Sequence, residues 1–240
     1  KKTLYAYSLR GMIEHVPTIF VDHVHLTASG IHATVFTPWG EGKLQTALIG
    51  QFNLSNMLAV LTTLCLLDIS LKDTLIVLSQ LTSVAGRMQR LGGGEKPLVV
   101  VDYAHTPDAL EKVLVALRQH TDGKLYCIFG CGGDRDRGKR PMMAVIAERY
   151  ADRVIVTDDN PRTEDPKQIV TDILKGFSKP NSIIVEHDRS KAIRDVIQCA
   201  KSGDCIIIAG KGAETYQIIG TEKIPFSDVE QVNDRLREKN

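Results

Sequence analysis

The chain of 240 residues carries 30 Lys and Arg against 29 Asp and Glu, a net charge of +1, with 43% hydrophobic and 25% charged residues. That balance excludes a basic nucleic-acid surface, an acidic tail and a disordered chain, and the length suits two modest domains with a core each. No run reaches the roughly 18 apolar residues of a membrane span, and residues 1–10 lack the apolar stretch of a signal peptide. A cytoplasmic protein with small-molecule partners, no nucleic acid and no membrane is expected.

From Thr18 to Gly50 apolar and polar residues alternate, as in Ile19, Val21 and then Ile31, Ala33, Val35, between turn signals at Ser29-Gly30 and Trp39-Gly40. This predicts an antiparallel meander. Asn53 opens a run in which Met57, Leu58, Leu61 and Leu64 recur at helical spacing, and a second helix is predicted over 71–81. Three glycines and a proline in 91–97 mark the predicted boundary, giving domains 1–92 and 93–240. Beyond it, β-rich runs at 98–101, 124–129, 153–156, 182–185 and 204–209 alternate with helical stretches at 107–119, 141–150, 166–175 and 190–200. Such alternation predicts an α/β, doubly wound, mostly parallel Rossmann-like sheet. Pro107, Pro141 and Pro166 each fall where a helix is expected to begin.

Five cysteines, Cys65, Cys127, Cys131, Cys199 and Cys205, show no metal-binding spacing and read as buried free thiols.

Ligands of doubly wound folds collect at the carboxyl ends of the strands, and five motifs fall at or near such positions. In GQFNLSN (50–56), Asn53 and Asn56 lie three apart at a helix start, suited either to capping or to the edge of a planar base. In AGRMQRL (85–91) and VVVDYAHTPDAL (99–110), Arg87 has no obvious apolar face to cover and could meet phosphate. Asp102 could cap the helix or accept a ribose hydroxyl, and His105 could be structural or a phosphate contact. FGCGGDRDRGKRP (129–141) joins a glycine-rich loop to six charged side chains between Asp134 and Arg140. Gly130, Gly132 and Gly133 would let the backbone approach a ligand, but Arg135 replaces the last glycine of a dinucleotide fingerprint and weakens that reading. TDDNPRTEDP (157–166) holds Asp158, Asp159, Asn160 and Arg162 around a stiff proline, a receptor for an amino-acid zwitterion or a plain surface turn. In AGKGAETYQ (209–217), Gly210 and Gly212 flank Lys211, with Glu214 just beyond.

Taken in this order, the five segments resemble the Mur ligases, and most closely the members of that family that add meso-diaminopimelate, whose mark is the string Asp159-Asn160-Pro161-Arg162. The resemblance implies that ATP phosphorylates the D-glutamyl carboxylate of UDP-MurNAc-L-Ala-D-Glu and that a diaminopimelate amine attacks the acyl phosphate, with Mg2+ required. It further implies that Arg135, Asp159, Asn160, Arg162, Gly210 and Glu214 hold the far end of diaminopimelate, and that Asn53, Asn56, Arg87, Asp102 and His105 touch ATP or organise its site. Residues 1–92 would be the carboxyl part of the central ATP-binding domain, and 93–240 the acceptor domain. Two departures stand out. Ala213 occupies a position where the family usually has histidine, which puts the orientation of Lys211 or Glu214 in question, and no phosphate loop G-x-x-x-x-G-K-[ST] occurs in the 240 residues. The chain by itself is therefore expected to be inactive, with no catalytic residue or metal ligand of its own. The alternatives are a ligase like folylpolyglutamate synthetase, disfavoured by Arg162, and a nucleotide-binding module without ligase activity.

Overall fold

The computed structural model describes residues 3–239 and divides into two compact units between Thr82 and Ser83. In the first, β1 (Ala6–Ser8), β2 (Thr18–Thr27), β3 (Gly30–Thr37) and β4 (Gly40–Thr46) form one sheet in that order, followed by α1 (Gln51–Leu66) and α2 (Leu71–Ser79). The expected meander is β2 to β4, antiparallel throughout; the short β1, unforeseen, adds a parallel edge. Ile19, Val21, Ile31, Val35 and Leu44 alternate inward along the strands and meet Leu54, Leu58 and Leu61 of α1. α1 begins at Gly50, whose φ of 92° L side chains rarely adopt, so Asn53 lies inside the helix and does not cap it.

The second unit contains β5 (Gln89–Gly92), β6 (Leu98–Asp102), α3 (Pro107–Arg118), β7 (Leu125–Phe129), α4 (Lys139–Tyr150), β8 (Arg153–Val156), α5 (Pro166–Leu174), β9 (Ile184–Val185), α6 (Arg189–Cys199), β10 (Cys205–Ala209), β11 (Tyr216–Ile219), β12 (Glu222–Pro225) and α7 (Asp228–Glu238). The main sheet runs β5-β6-β10-β7-β8-β9, parallel from β6 to β9. The glycine run at 92–94 is the turn of a hairpin, not a boundary. β5 pairs antiparallel with β6, Gln89 opposite Val101, and this ties residues 83–92 to the second unit, ten residues before the predicted division.

Every residue of β6, β7 and β10 is buried, as strands covered on both faces must be. One parity, Val99, Val101, Ile128, Ile206 and Ile208, packs on Ile193, Val196 and Ile197 of α6 and Val232 and Leu236 of α7. Pro107 and Pro166 stand at helix starts, but Pro141 sits two residues inside α4, within the first turn, where no intrahelical donor is lost. Four cysteines are buried and Cys199, near the end of α6, is exposed.

Candidate functional site

Chain order brings β10 back between β6 and β7, so the loops leaving β6, β7, β8 and β10 crowd one edge of the sheet. Together with the β11–β12 hairpin they enclose a cleft of about 590 Å³. Arg135, Asp159, Asn160, Arg162, Gly210 and Glu214 all line it, from three different loops. His105 lines it as well.

The loops hold one another by backbone contact. A Cβ on Gly133 would stand 1.9 Å from the Pro161 carbonyl and one on Gly130 2.1 Å from that of Thr157. Gly130 and Gly133 therefore admit the neighbouring loop, while the backbone at Gly130 and Gly132 also lines the cleft. Gly210, at φ +117°, lies where a Cβ would meet Asp159 Oδ2 at 2.6 Å. Arg162 adopts the left-handed region at φ 52°. The hairpin fixes it there, with Arg162 N donating to the Ile218 carbonyl and Gly220 N donating to the Arg162 carbonyl. Its Nη1 donates to the Gly133 carbonyl at 2.8 Å, which stabilises a backbone that costs on the order of 1–3 kcal/mol for a residue other than glycine.

Asn160 is a hub. Its Oδ1 accepts from Lys211 Nζ at 3.1 Å and from Ile218 N at 2.9 Å, while its Nδ2 donates to Glu214 Oε2 at 2.9 Å. Lys211, fully buried, donates also to that same Glu214 oxygen at 3.0 Å. Burial pushes the Glu214 carboxyl up, but the bonds from Asn160 and Lys211 outweigh it and hold the group below the usual carboxylate range. Asp159 differs. Burial raises its carboxyl despite the charges of Arg189 and Lys211, and among the described residues no hydrogen bond reaches its side chain. A buried anion without a donor, facing a cleft, is a place where a ligand cation would be stabilised.

Behind this wall lie two buried guanidinium groups. Arg189 on α6 makes a bidentate pair with Asp228 of α7, at 2.8 and 2.9 Å, and donates to the Ala209 carbonyl. Arg140 on α4 pairs with Glu164 and Asp172 and so anchors the loop after β8 to α4 and α5. Beside the cleft, Asp158 Oδ1 accepts from His187 Nδ1 at 2.8 Å, and Gln217 Nε2 donates to the Asp159 carbonyl at 2.9 Å.

The nucleotide-side expectations divide between the units. Asn53 spends its amide donor on the Ile49 carbonyl at 2.8 Å and is half-buried, while Asn56 is exposed; both belong to the first unit. In the second, Asp102 neither caps α3, which Thr106 does, nor faces solvent. Its two oxygens accept from Met88 N and Ala104 N, both at 2.8 Å, so it ties the 85–88 turn to the end of β6. Arg87 does cover an apolar face: its guanidinium stacks 4.5 Å from the centroid of Tyr103, whose carbonyl bonds His105 Nδ1. Ala213 is exposed, and Lys211 and Glu214 orient each other without it.

Sequence reasoning missed the hairpin residues Tyr216, Ile218 and Lys223 in the cleft wall and the helix α7. The signals were there: Gly220 punctuates the hairpin, and Ser227 with Glu230 three positions on is a helix-start pattern in which Ser227 indeed accepts from Glu230 N. Among the described residues no three His, Cys, Asp or Glu gather as a metal site, and no helix is long and apolar enough to cross a membrane.

A doubly wound sheet with charged loops at the strand ends is a common plan, but the match here is specific. The family described as Mur ligase, glutamate ligase domain, matches residues 86–212, and the chain belongs to it. Its relatives include the UDP-N-acetylmuramoyl-L-alanyl-D-glutamate–2,6-diaminopimelate ligases of Coxiella burnetii, 51% identical over 98% of this chain and 48% of that protein, and of Pseudomonas putida, 56% identical over 97% and 46%. The chain thus spans about half the length of the curated relatives it matches. A solved structure of a ligase of that same name superposes with a TM-score of 0.79 at 38% identity, over 97% of this chain and 47% of that one. A folylpolyglutamate synthase from Thermotoga maritima shares the fold at a TM-score of 0.61 and 21% identity, over 80% of this chain and 43% of that one.

Proposed function

We propose that the chain is the acceptor-binding half of an ATP-dependent ligase that adds meso-diaminopimelate to UDP-MurNAc-L-Ala-D-Glu in peptidoglycan synthesis. One observation carries the reading: Arg135, Arg162, Asp159 and Glu214, two cations and two anions from three loops, converge on one cleft beside the Asn160 hub. Guanidinium groups suit the carboxylate of an amino-acid end and the acids suit its ammonium. Holding that end in a rigid cleft would leave the other amine of a long diamino acid free to attack an acyl phosphate. Gly210 belongs to the same wall because any side chain there would displace Asp159.

ATP supplies the phosphoryl group that activates the D-glutamyl carboxylate, and Mg2+ would neutralise its phosphates. Within the second unit Arg87 and His105 are proposed toward the nucleotide, with Asp102 holding the turn that carries Arg87; within the first unit, taken by itself, Asn53 and Asn56 are proposed for the same role. Residues 1–82 would then be part of the ATP-binding domain and 83–240 the acceptor domain, and without a phosphate loop the chain alone should not turn over. Both nucleotide substrates are cytosolic metabolites, which puts the reaction in the cytoplasm.

The test is calorimetric titration with meso-diaminopimelate and with L-lysine, using the wild-type chain and R162A. Binding of diaminopimelate, weak or absent binding of lysine, and a loss of about tenfold or more in R162A are expected. Equal binding of both amino acids, or an unaffected R162A, would refute the assignment. Tight binding of glutamate instead would favour the folylpolyglutamate-type reading.

A further inference from the structure

Lys211 does not line the cleft, yet it is fully buried and bonded to two residues that do. A buried ammonium is expensive unless anions and acceptors surround it. Here it donates to Asn160 Oδ1 and to Glu214 Oε2 and lies 5.8 Å from the Tyr216 ring centroid. The backbone around it has little freedom, because a Cβ on Gly212 would come within 2.9 Å of the Gly86 carbonyl and of Tyr103 Cβ. Asn160 cannot turn over its amide without losing the bonds of its Oδ1 to Lys211 and Ile218. Glu214 Oε2 is doubly held, and among the described residues nothing donates to Oε1.

From this geometry we infer that Lys211 is a positioning residue for ammonium recognition: from behind the cleft wall it clamps Glu214 and Asn160 and supplies the compensating charge for two acids that face the ligand. The inference deepens the proposed function and rests on it. The other charged groups acting on those acids are Arg162, Arg189 of α6 and Asp228 of α7. Arg189 is already paired with Asp228, which leaves Lys211, among the described residues, as the cation that bonds a cleft acid directly from behind.

The experiment compares wild type, K211Q, K211M and R162A by calorimetric titration with meso-diaminopimelate from about pH 5 to 9. Without the ammonium, Glu214 and Asp159 hold their protons to higher pH. K211Q and K211M should therefore bind about tenfold more weakly at neutral pH, with the acid limb of the affinity profile displaced upward. R162A removes a cation that acts on Glu214 only through space, and should weaken binding while moving that limb less than the lysine variants do. Lysine variants that bind as wild type, or that displace the limb no further than R162A does, overturn the proposal. A second measurement needs no lysine variant: carbon-13 NMR titration of side-chain carboxyls, with Glu214 assigned through E214Q. A Glu214 midpoint below the ordinary glutamate range is expected, and one at or above it overturns the clamp. Should the wild-type chain bind no diaminopimelate, the functional reading fails while the Glu214 titration still decides the role of Lys211.

Discussion

The Arg189–Asp228 pair offers the sharpest test of how the second unit is held together. Both side chains are fully buried, and the two bonds, at 2.8 and 2.9 Å, join α6 to the first turn of α7. D228N leaves the shape intact but removes the countercharge and sets an NH2 donor against a guanidinium donor, so that the buried guanidinium keeps one bond to residue 228 and its bond to the Ala209 carbonyl. Removing one partner of such a pair costs about 3–5 kcal/mol, and at about 2–4 °C per kcal/mol for a unit of this size the midpoint should fall by roughly 6–20 °C. R189M/D228L, which removes both charges, should recover much of that loss, because the penalty lies in the orphaned ion more than in the lost pair. Thermal unfolding followed by circular dichroism measures the shift, and amide exchange at Ile206 to Ile208 assigns it to the second unit. A D228N variant within about 0.5 kcal/mol of wild type, or a double variant weaker than the sum of the singles, would refute the reasoning.

Acid stability should depend on Glu164. Its bond to Arg140 holds its carboxyl below the usual range, and Asp172 is held low by Lys175 and then Arg140. A depressed folded-state value contributes stability that is complete above the unfolded value and is lost as pH falls through the folded one. Asp159, raised by burial, acts in the opposite sense. Unfolding midpoints followed from neutral pH to about pH 3 should therefore fall less steeply in E164Q than in wild type. G133A, whose Cβ would meet the Pro161 carbonyl at 1.9 Å, should lose about 1–3 kcal/mol in chemical denaturation. G210A should weaken diaminopimelate binding by displacing Asp159, read by the same titration. In native protein one thiol, Cys199, should react rapidly with iodoacetamide and the others only after unfolding. Cys127, Cys131 and Cys205 are pushed up to about 12 by burial, and Cys65 is buried and raised as well. Mass spectrometry counts the labels.

Much of the architecture was legible because the forces that set it are local. The meander of β2 to β4 follows from period-two alternation, and β6, β7, β8 and β10 follow from short apolar runs closed by polar residues. Those closing residues supply most of the cleft; the set Arg135, Asp159, Asn160, Arg162, Gly210 and Glu214 came from the resemblance to the Mur ligases, and the fold brings all six to one cleft. β11 and β12 were harder to see, being partly or fully exposed and without an apolar run of their own.

The sequence by itself determined β2 to β4, β6 to β10 and α1 to α6, the strand-end chemistry and the Asp159-Asn160-Pro161-Arg162 string with its neighbours. Tertiary structure alone decided that β10 returns between β6 and β7, because that order depends on which faces the helices cover. It also decided that Arg140, Arg189 and Lys211 are buried, that Gly130 and Gly133 pack against the loop after β8, and that Arg87 lies on Tyr103. Charge composition predicts exposure for such residues, and only partners brought from distant segments, Glu164, Asp228 and Asn160, make their burial favourable.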